Sequence, residues 1–431
     1  MCRSSSVSLT LALALLLAVA SCATEEGDGE SGAVDAVEAS ADAPTEATEA
    51  TEATEATEDI IDAAEDPTFE TSEEISEPDI VEVNEELTAP LACEGTNPAL
   101  SLEDGADATF LRGPTVQSLL DDRAIILWRT TLPEAEGCLS YRVGEGEGQE
   151  RCAAADEQNQ YEIAIDALPP ATEVFYRVRV GERETGELSF TSAPLDSAPV
   201  RLLVFGDGHT HHETLSVIAG QALAAGVDGA FSVGDLVSQA EEPQFDIVFD
   251  ALRALMHRVP FWAVLGNHEA RGKPHFDAFA LPGANPKAPH EAWYGGRFGN
   301  VWFGALELQD INLSAGLGTD LPEVTWLREA LESEAATSAT WRLLFIHEPP
   351  WCVGWGHCED PIYRGEYTLR TLFMDIAVAY GVDATFHGHM HGLEWGEVEG
   401  VHTIISGGAG GGLDHFCEIG TPEDLPQPWF S

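Results

Sequence analysis

From Val200 onward the chain alternates between two hydrophobic periods, and that alternation limits the possible folds more than any other feature. Short apolar runs at residues 201–205, 229–233, 261–265, 301–306, 343–346, 384–386 and 403–405 read as strands. Stretches of helical character lie between them, at 213–225, 243–256, 323–333 and 368–380. Strands separated by helices predict an α/β domain whose functional loops follow the strand C-termini.

Five of these runs break off into Asp, His or Asn, four of them beside glycine. They are Phe205-Gly206-Asp207-Gly208-His209, Val233-Gly234-Asp235, Leu265-Gly266-Asn267-His268-Glu269, Phe345-Ile346-His347-Glu348 and Phe386-His387-Gly388-His389-Met390-His391-Gly392. Carboxylate, imidazole and carboxamide are borderline-to-hard ligands suited to Fe, Mn, Zn or Co. Neighbouring glycines let the backbone turn sharply and leave room for a phosphate. One such histidine alone reads as an ordinary structural histidine. Five motifs in order do not.

In that order (D-x-H, GD, GNH[DE], H, GHxH) the chain resembles the calcineurin-like metallophosphoesterases over most of residues 200–412. The resemblance implies an α/β fold of two packed sheets flanked by helices. It also implies one metal ion on Asp207, His209 and His391, a second on Asn267, His347 and His389, and Asp235 bridging both. Two such cations, about 3.5–4 Å apart, would hold a hydroxide for in-line attack on phosphorus and neutralise the developing charge. The match gives His268 the task of donating to the phosphoryl group or protonating the leaving oxygen, with Glu269 near enough in sequence to orient it. His211, His212, His275 and His387 match no ligand position and read as polar loop or substrate-side residues.

Residues 91–196 have a different rhythm. Alternating runs at 124–130, 139–143, 161–165 and 173–180, with no helical period, predict a small β-sandwich. Trp128 followed by Tyr176 resembles a fibronectin type III module, with both as core and corner residues. Gly113-Pro114-Thr115-Val116-Gln117, Leu168-Pro169-Pro170-Ala171-Thr172 and Phe190-Thr191-Ser192-Ala193-Pro194 resemble the N-terminal domain of purple acid phosphatases. One departure matters. Purple acid phosphatases carry a tyrosine three residues after the bridging aspartate as a coloured Fe(III) ligand, and Ser238 stands there instead. The expectation is a generic phosphoesterase site without a tyrosinate charge-transfer band, and a purple protein would overturn it. The glycine-rich stretch 407–412 fits the family's last loop, but only 19 residues follow, so a terminal strand is expected to be missing or replaced.

The N-terminus reads as an export signal: Arg3, then an apolar run at 7–20 that is short for a membrane span. Val19-Ala20-Ser21-Cys22 resembles the lipobox of bacterial lipoproteins. Residues 1–21 would then be the signal and Cys22 the lipid-bearing residue, anchoring an exported protein in the cell envelope. An ordinary signal peptide is the alternative. Residues 22–90 form a Thr/Glu/Ala linker in which positions 23–90 hold 24 acidic residues and no Lys or Arg. Such a segment cannot bury enough surface to offset chain entropy and reads as a disordered, self-repelling spacer. Of the net charge of −55, residues 91–431 still carry −32. That acidity disfavours nucleic acid or anionic lipid as a partner of the general surface, so a phosphate would need a local positive charge such as metal ions. No protein partner is implied.

Six of the eight cysteines remain after Cys2 and Cys22. An even remainder in an exported chain favours disulfides. Cys138–Cys152 and Cys352–Cys358 are the local pairs expected, with Cys93–Cys417 left over, while Cys352, His357 and Cys358 could instead hold zinc. Together these features predict four segments: signal 1–21, linker 22–90, fibronectin type III-like domain 91–196 and metallophosphoesterase domain 197–431. The function expected is hydrolysis of phosphate esters by a binuclear-metal-bound hydroxide, phosphomonoesters favoured and phosphodiesters the alternative. A catalytically silent surface lipoprotein for adhesion or carbohydrate binding is the reading from another class. Trp351, Trp355 and Tyr363 are candidates to stack on an aryl group, with a structural aromatic cluster favoured.

Overall fold

The computed structural model of the chain describes residues 110–131, 136–269, 272–282, 292–307, 321–355, 363–416 and 422–431. All fall within the second of two units, Thr96–Ser431. Cys22, the linker, Cys93, His357, Cys358 and Cys417 lie outside the described residues.

Eight strands come first: β1 (Phe110–Leu120), β2 (Arg123–Thr130), β3 (Glu136–Val143), β4 (Gln149–Ala154), β5 (Gln160–Ile165), β6 (Glu173–Val180), β7 (Arg183–Glu184) and β8 (Leu188–Thr191). They build two antiparallel sheets, β1-β2-β5 and β4-β3-β6-β7, with β8 beside β6. Strand β6 shows the cause. Val174, Tyr176, Val178 and Val180 alternate inward and are buried, as the two-residue period of a strand with one wet face requires. Trp128 stacks on Tyr161 at 5.2 Å between ring centroids. Tyr176 donates its hydroxyl to the carbonyl of His257 at 2.7 Å. Both are core residues, as expected. Cys138 and Cys152 face each other across β3 and β4 and form a disulfide. Cys352, by contrast, is a buried free thiol and not half of the expected pair with Cys358.

The period then switches. In order follow β9 (Leu202–Phe205), α1 (His212–Ala225), β10 (Gly229–Ser232), α2 (Glu242–Ala251), α3 (Arg253–Met256), β11 (Phe261–Ala263), α4 (Lys273–Ala278), β12 (Tyr294–Phe298) and β13 (Val301–Leu306). After these come α5 (Pro322–Leu331), α6 (Glu334–Thr337), β14 (Trp341–Ile346), a π-helical turn at Leu369–Phe373 running into α7 (Met374–Ala379), β15 (Ala384–His387), β16 (Leu393–Val398), β17 (Val401–Ser406) and β18 (Trp429–Phe430). Strands β11-β10-β9 form a parallel three-stranded sheet. The larger sheet runs β12-β13-β14-β15-β17-β16-β18, parallel from β13 to β17 and antiparallel at its edges. The two sheets meet through aromatic rings. Phe231 of β10 lies flat on Phe345 of β14, with centroids 4.0 Å apart and planes 4° apart.

Two expected elements differ in detail. The stretch expected as one helix over 243–256 breaks at Leu252, whose φ of −92° and ψ of 2° leave the helical region. The tail, where a strand was expected to be missing or replaced, carries the two-residue strand β18. The edge strand β18 pairs with β16, and Trp429 donates to Glu394 at 2.6 Å. The indole lies where a side chain at position 396 would be, since a Cβ there would come within 2.1 Å of it, so Gly396 admits the strand.

Burial also sets a pH dependence. His275 of α4 is buried among Phe276 and Phe279, and burial pushes its imidazole down to about 3. The folded value lies below the unfolded 6.5, so the unfolded chain binds the proton first. Stability is therefore complete above about pH 6.5 and is lost as pH falls toward 3, at about 1.4 kcal/mol per unit. We expect His275→Leu to flatten the fall in urea stability by that slope relative to wild type between pH 6 and pH 4. Parallel curves for the two proteins would contradict it.

Candidate metal centre

The five motif loops sit at the C-terminal ends of β9, β10, β11, β14 and β15 and converge at one edge of the facing sheets. Several of the donors pay for that convergence in backbone conformation. Asp207, His209, Asp235 and His389 have φ of 61°, 45°, 52° and 66°, a left-handed region that non-glycine residues seldom occupy. Backbone contacts hold them there. Asp207 N–H donates to Gly234 O at 3.0 Å and His209 N–H to Asp235 O at 3.1 Å. Gly388 leaves room for the carboxylate, since a Cβ there would stand 2.5 Å from Asp207 Oδ2.

The side chains form two groups of donors. In one, His391 Nε2 lies 3.4 Å from Asp207 Oδ1 and 3.1 Å from His209 Nε2. In the other, Asn267 Oδ1 lies 3.0 Å from His347 Nε2 and 2.9 Å from His389 Nδ1, and the two ring nitrogens are 3.3 Å apart. Asp235 Oδ2 stands between them, 3.2 Å from His347 Nε2 and 3.9 Å from His209 Nε2. All seven residues expected as ligands are thus brought together.

The chemistry of the donor set fits a pair of transition-metal ions. His347 Nδ1 faces Val233 O at 2.8 Å and His391 Nδ1 faces Gly412 O at 2.8 Å. A carbonyl partner fixes the ring proton on Nδ1 and leaves Nε2 as a bare lone pair. That lone pair then points at other acceptors, an arrangement that requires positive charge between them. Without a metal, protons would supply it. Burial pushes His347 down, but Asp235 outweighs burial and draws this imidazole well above its ordinary range. Burial likewise opposes the ionised Asp235, yet His347 holds its carboxyl below the usual carboxylate range. Burial pushes His209 down to about 4 and His389 to about 3, so both stay neutral and ready to ligate.

His268 lies beside both groups without joining the donor contacts. Its Nδ1 donates to Ser238 O at 2.7 Å, and its ring meets that of His209 edge-on at 4.6 Å. Its Nε2 is 3.9 Å from Asp235 Oδ2, and its side chain is 39 % exposed against 1 % for His347. Glu269 does not orient this ring. It is fully buried, and its carboxylate accepts from the backbone N–H groups of Asp235 at 2.9 Å, Gly266 at 2.7 Å and Val237 at 3.3 Å. It ties two ligand loops together, and the orienting partner of His268 is the Ser238 carbonyl. Ser238, at the place of the coloured tyrosine, spends its hydroxyl on His209 O at 3.0 Å.

Of the four histidines that match no ligand position, two are buried and two are exposed at the start of α1. His387 is buried at the end of β15, between Glu348 O and Thr385 Oγ1. His212 pairs with Asp250 at 3.0 Å, and His211 precedes α1. Neither His387 nor His275 is a loop or substrate-side residue: His387 is buried on its two hydrogen bonds and His275 among aromatic rings. Trp351 is buried with the Arg370 guanidinium over its ring, whereas Trp355 and Tyr363 flank His389 with ring centroids 5.3 and 4.9 Å away.

Residues 200–393 match the family described as calcineurin-like phosphoesterase. Over that stretch, which contains all seven candidate ligands, the chain is similar to a calcineurin-like phosphoesterase domain. It is 22% identical over 275 residues to purple acid phosphatase 15 of Arabidopsis thaliana, which covers 54% of this chain and 49% of that protein. It is 24% identical over 183 residues to the Fe(3+)-Zn(2+) purple acid phosphatase 12 of the same plant, across 40% of this chain and 36% of that one. The chain thus spans about half the length, or less, of these curated relatives. The solved purple acid phosphatase PPD1 from yellow lupin (Lupinus luteus) shares the fold, with a TM-score of 0.61 at 17% identity over 72% of this chain and 67% of that one.

Proposed function

We propose that this chain is a metal-dependent hydrolase of phosphate esters and that monoesters are its preferred substrates. The observation that carries the reading is the shared oxygen. Asp235 Oδ2 belongs to both donor groups, which is the arrangement a two-ion site needs. Asp207, His209 and His391 would hold one ion, Asn267, His347 and His389 the other, and Asp235 both. When bound, the ions supply Lewis-acid activation of water and of the phosphoryl group.

The protein's own residues do the rest. His268 turns Nε2 toward the pocket; in its imidazolium form it would give the Nε2 proton to the departing oxygen and be left as the neutral ring, whose Nδ1–H the Ser238 carbonyl keeps in that orientation. His347 and His391 are held by the carbonyls behind them, so their lone pairs need no reorganisation on loading. The names of the curated relatives, phosphatases, favour monoesters. The lipid anchor on Cys22 is part of the proposal and rests on residues 19–22 alone.

The test uses the full chain reconstituted with Mn, Fe or Zn. Turnover of p-nitrophenyl phosphate well above that of bis(p-nitrophenyl) phosphate is expected, with close to two ions per chain. The reverse preference would make it a diesterase. No turnover of either ester with both ions bound would favour a silent binder.

A further inference from the structure

The ring of His268 depends on one backbone carbonyl, and the segment that carries this carbonyl has neither strand nor helix of its own: residues 236–240 are bends. Glu269 holds Val237 and the Ser238 hydroxyl reaches His209 O, but the backbone N–H groups at 238 and 239 are held by Gln244. Its Oε1 accepts from the backbone N–H groups of both Ser238 and Gln239, each at 2.9 Å. Gln244 stands third in α2, the position from which a side chain reaches back over a helix start. Here it reaches past its own cap, to the loop leading out of the bridging Asp235. The start of α2 is anchored in turn from the β-sandwich. Buried Arg112 and Arg129 both contact the Glu242 carboxylate, and Arg112 also binds Glu242 O at 2.8 Å and the Asp246 carboxylate.

We infer that Gln244 is a positioning residue for the reaction: it sets the Ser238 carbonyl and, through it, the direction in which His268 presents Nε2. The inference rests on the phosphoesterase reading and deepens it. Gln244 touches neither donor group, and the Ser238 hydroxyl keeps its own tie to His209 O, so removing Gln244 should leave metal binding intact and act chiefly on proton delivery. The two kinds of loss differ in their dependence on the leaving group. A p-nitrophenolate departs without a proton, whereas an alkoxide needs one. General acid catalysis contributes roughly a hundredfold or more where it is needed, and a misdirected acid forfeits a share of that.

The experiment compares glycerol 3-phosphate with p-nitrophenyl phosphate in the metal-replete full chain. Gln244→Met keeps the volume and helix preference of glutamine and removes the acceptor. Expected is a fall in kcat of about tenfold or more for the alkyl ester and less than about threefold for the aryl ester, with KM and metal content unchanged. Gln244→Glu restores two acceptor oxygens at the same reach and should recover most of the loss. Equal falls on both esters, no fall, a change confined to KM, or lost metal or cooperative unfolding in the Met variant would each overturn the positioning role. Wild type turning over neither ester with two ions bound would fail the phosphoesterase reading itself, a separate result.

Discussion

Asp235→Ala is expected to give a folded protein that retains neither metal ion and hydrolyses p-nitrophenyl phosphate at least about a thousandfold more slowly than wild type. The magnitude follows from position. Asp235 Oδ2 lies within 3.9 Å of His209 Nε2 and 3.2 Å of His347 Nε2, so on the proposed reading one substitution would remove a ligand from both ions. A bridging carboxylate also offsets repulsion between two cations, and its loss weakens whichever ion still binds. Several kcal/mol of charge stabilisation correspond to about three or more decades in rate. Asp235 does more than ligate. Its Oδ1 accepts from His268 N–H at 2.8 Å, so the variant also loosens the loop that carries His268. Asp235→Asn keeps that acceptor and should lose metal affinity while keeping the loop. Elemental analysis after desalting, together with kcat/KM, decides the matter. A variant with two ions and near-normal turnover would remove the shared-ligand site.

The candidate ligands were legible because they stand at or just after the ends of apolar runs, and strand ends are where an α/β fold gathers its functional loops. The assignment of Asp207, His209, Asp235, Asn267, His347, His389 and His391 to two ions came from the resemblance to the calcineurin-like metallophosphoesterases. Contacts made by tertiary closure were not legible. Glu269 stands next to His268 in sequence yet serves the backbone of residues 235–237 and 266, because its side chain leaves the strand end in the opposite direction. Gln244 looks like any polar residue near a helix start. Its partners lie six and five residues away across an irregular loop. The ties from Arg112 and Arg129 to Glu242 span 130 and 113 residues, a distance over which no local period gives a signal. His387 misleads in the opposite sense. It lies in a histidine-rich turn, but it still belongs to β15 and alternates inward, away from His389. Strand β18 is two residues long and was invisible to any pattern, though Glu394 and Gly396 were already shaped to receive Trp429.

Glu269→Ala should rank with the ligand substitutions in its consequences, although Glu269 is placed on neither ion. Its carboxylate satisfies three buried backbone N–H groups, and removing it strands all three in a site that packing keeps dry. Each stranded donor costs about 1–3 kcal/mol, so a loss of roughly 3 kcal/mol or more is expected in the free energy of unfolding. Burial pushes this carboxyl up to about 7, with the neighbouring Asp235 charge adding to the rise. The folded value is above the unfolded 4.5, so the contribution of this group to stability is fully present below about pH 4.5 and is lost as pH rises to about 7. The clamp joins the Asp235 loop to the Gly266 turn, which leads into Asn267, so loosening it separates donors for both ions. Metal affinity should fall about 10–100-fold, as for other groups that hold ligands in place. Glu269→Gln keeps an acceptor oxygen but turns an amide NH2 toward backbone donors, and should fall between wild type and Ala in both measures. Urea unfolding and a metal titration on the three proteins give the comparison. An Ala variant as stable as wild type would mean that the three N–H groups find other partners, and the clamp would then have no part in building the site.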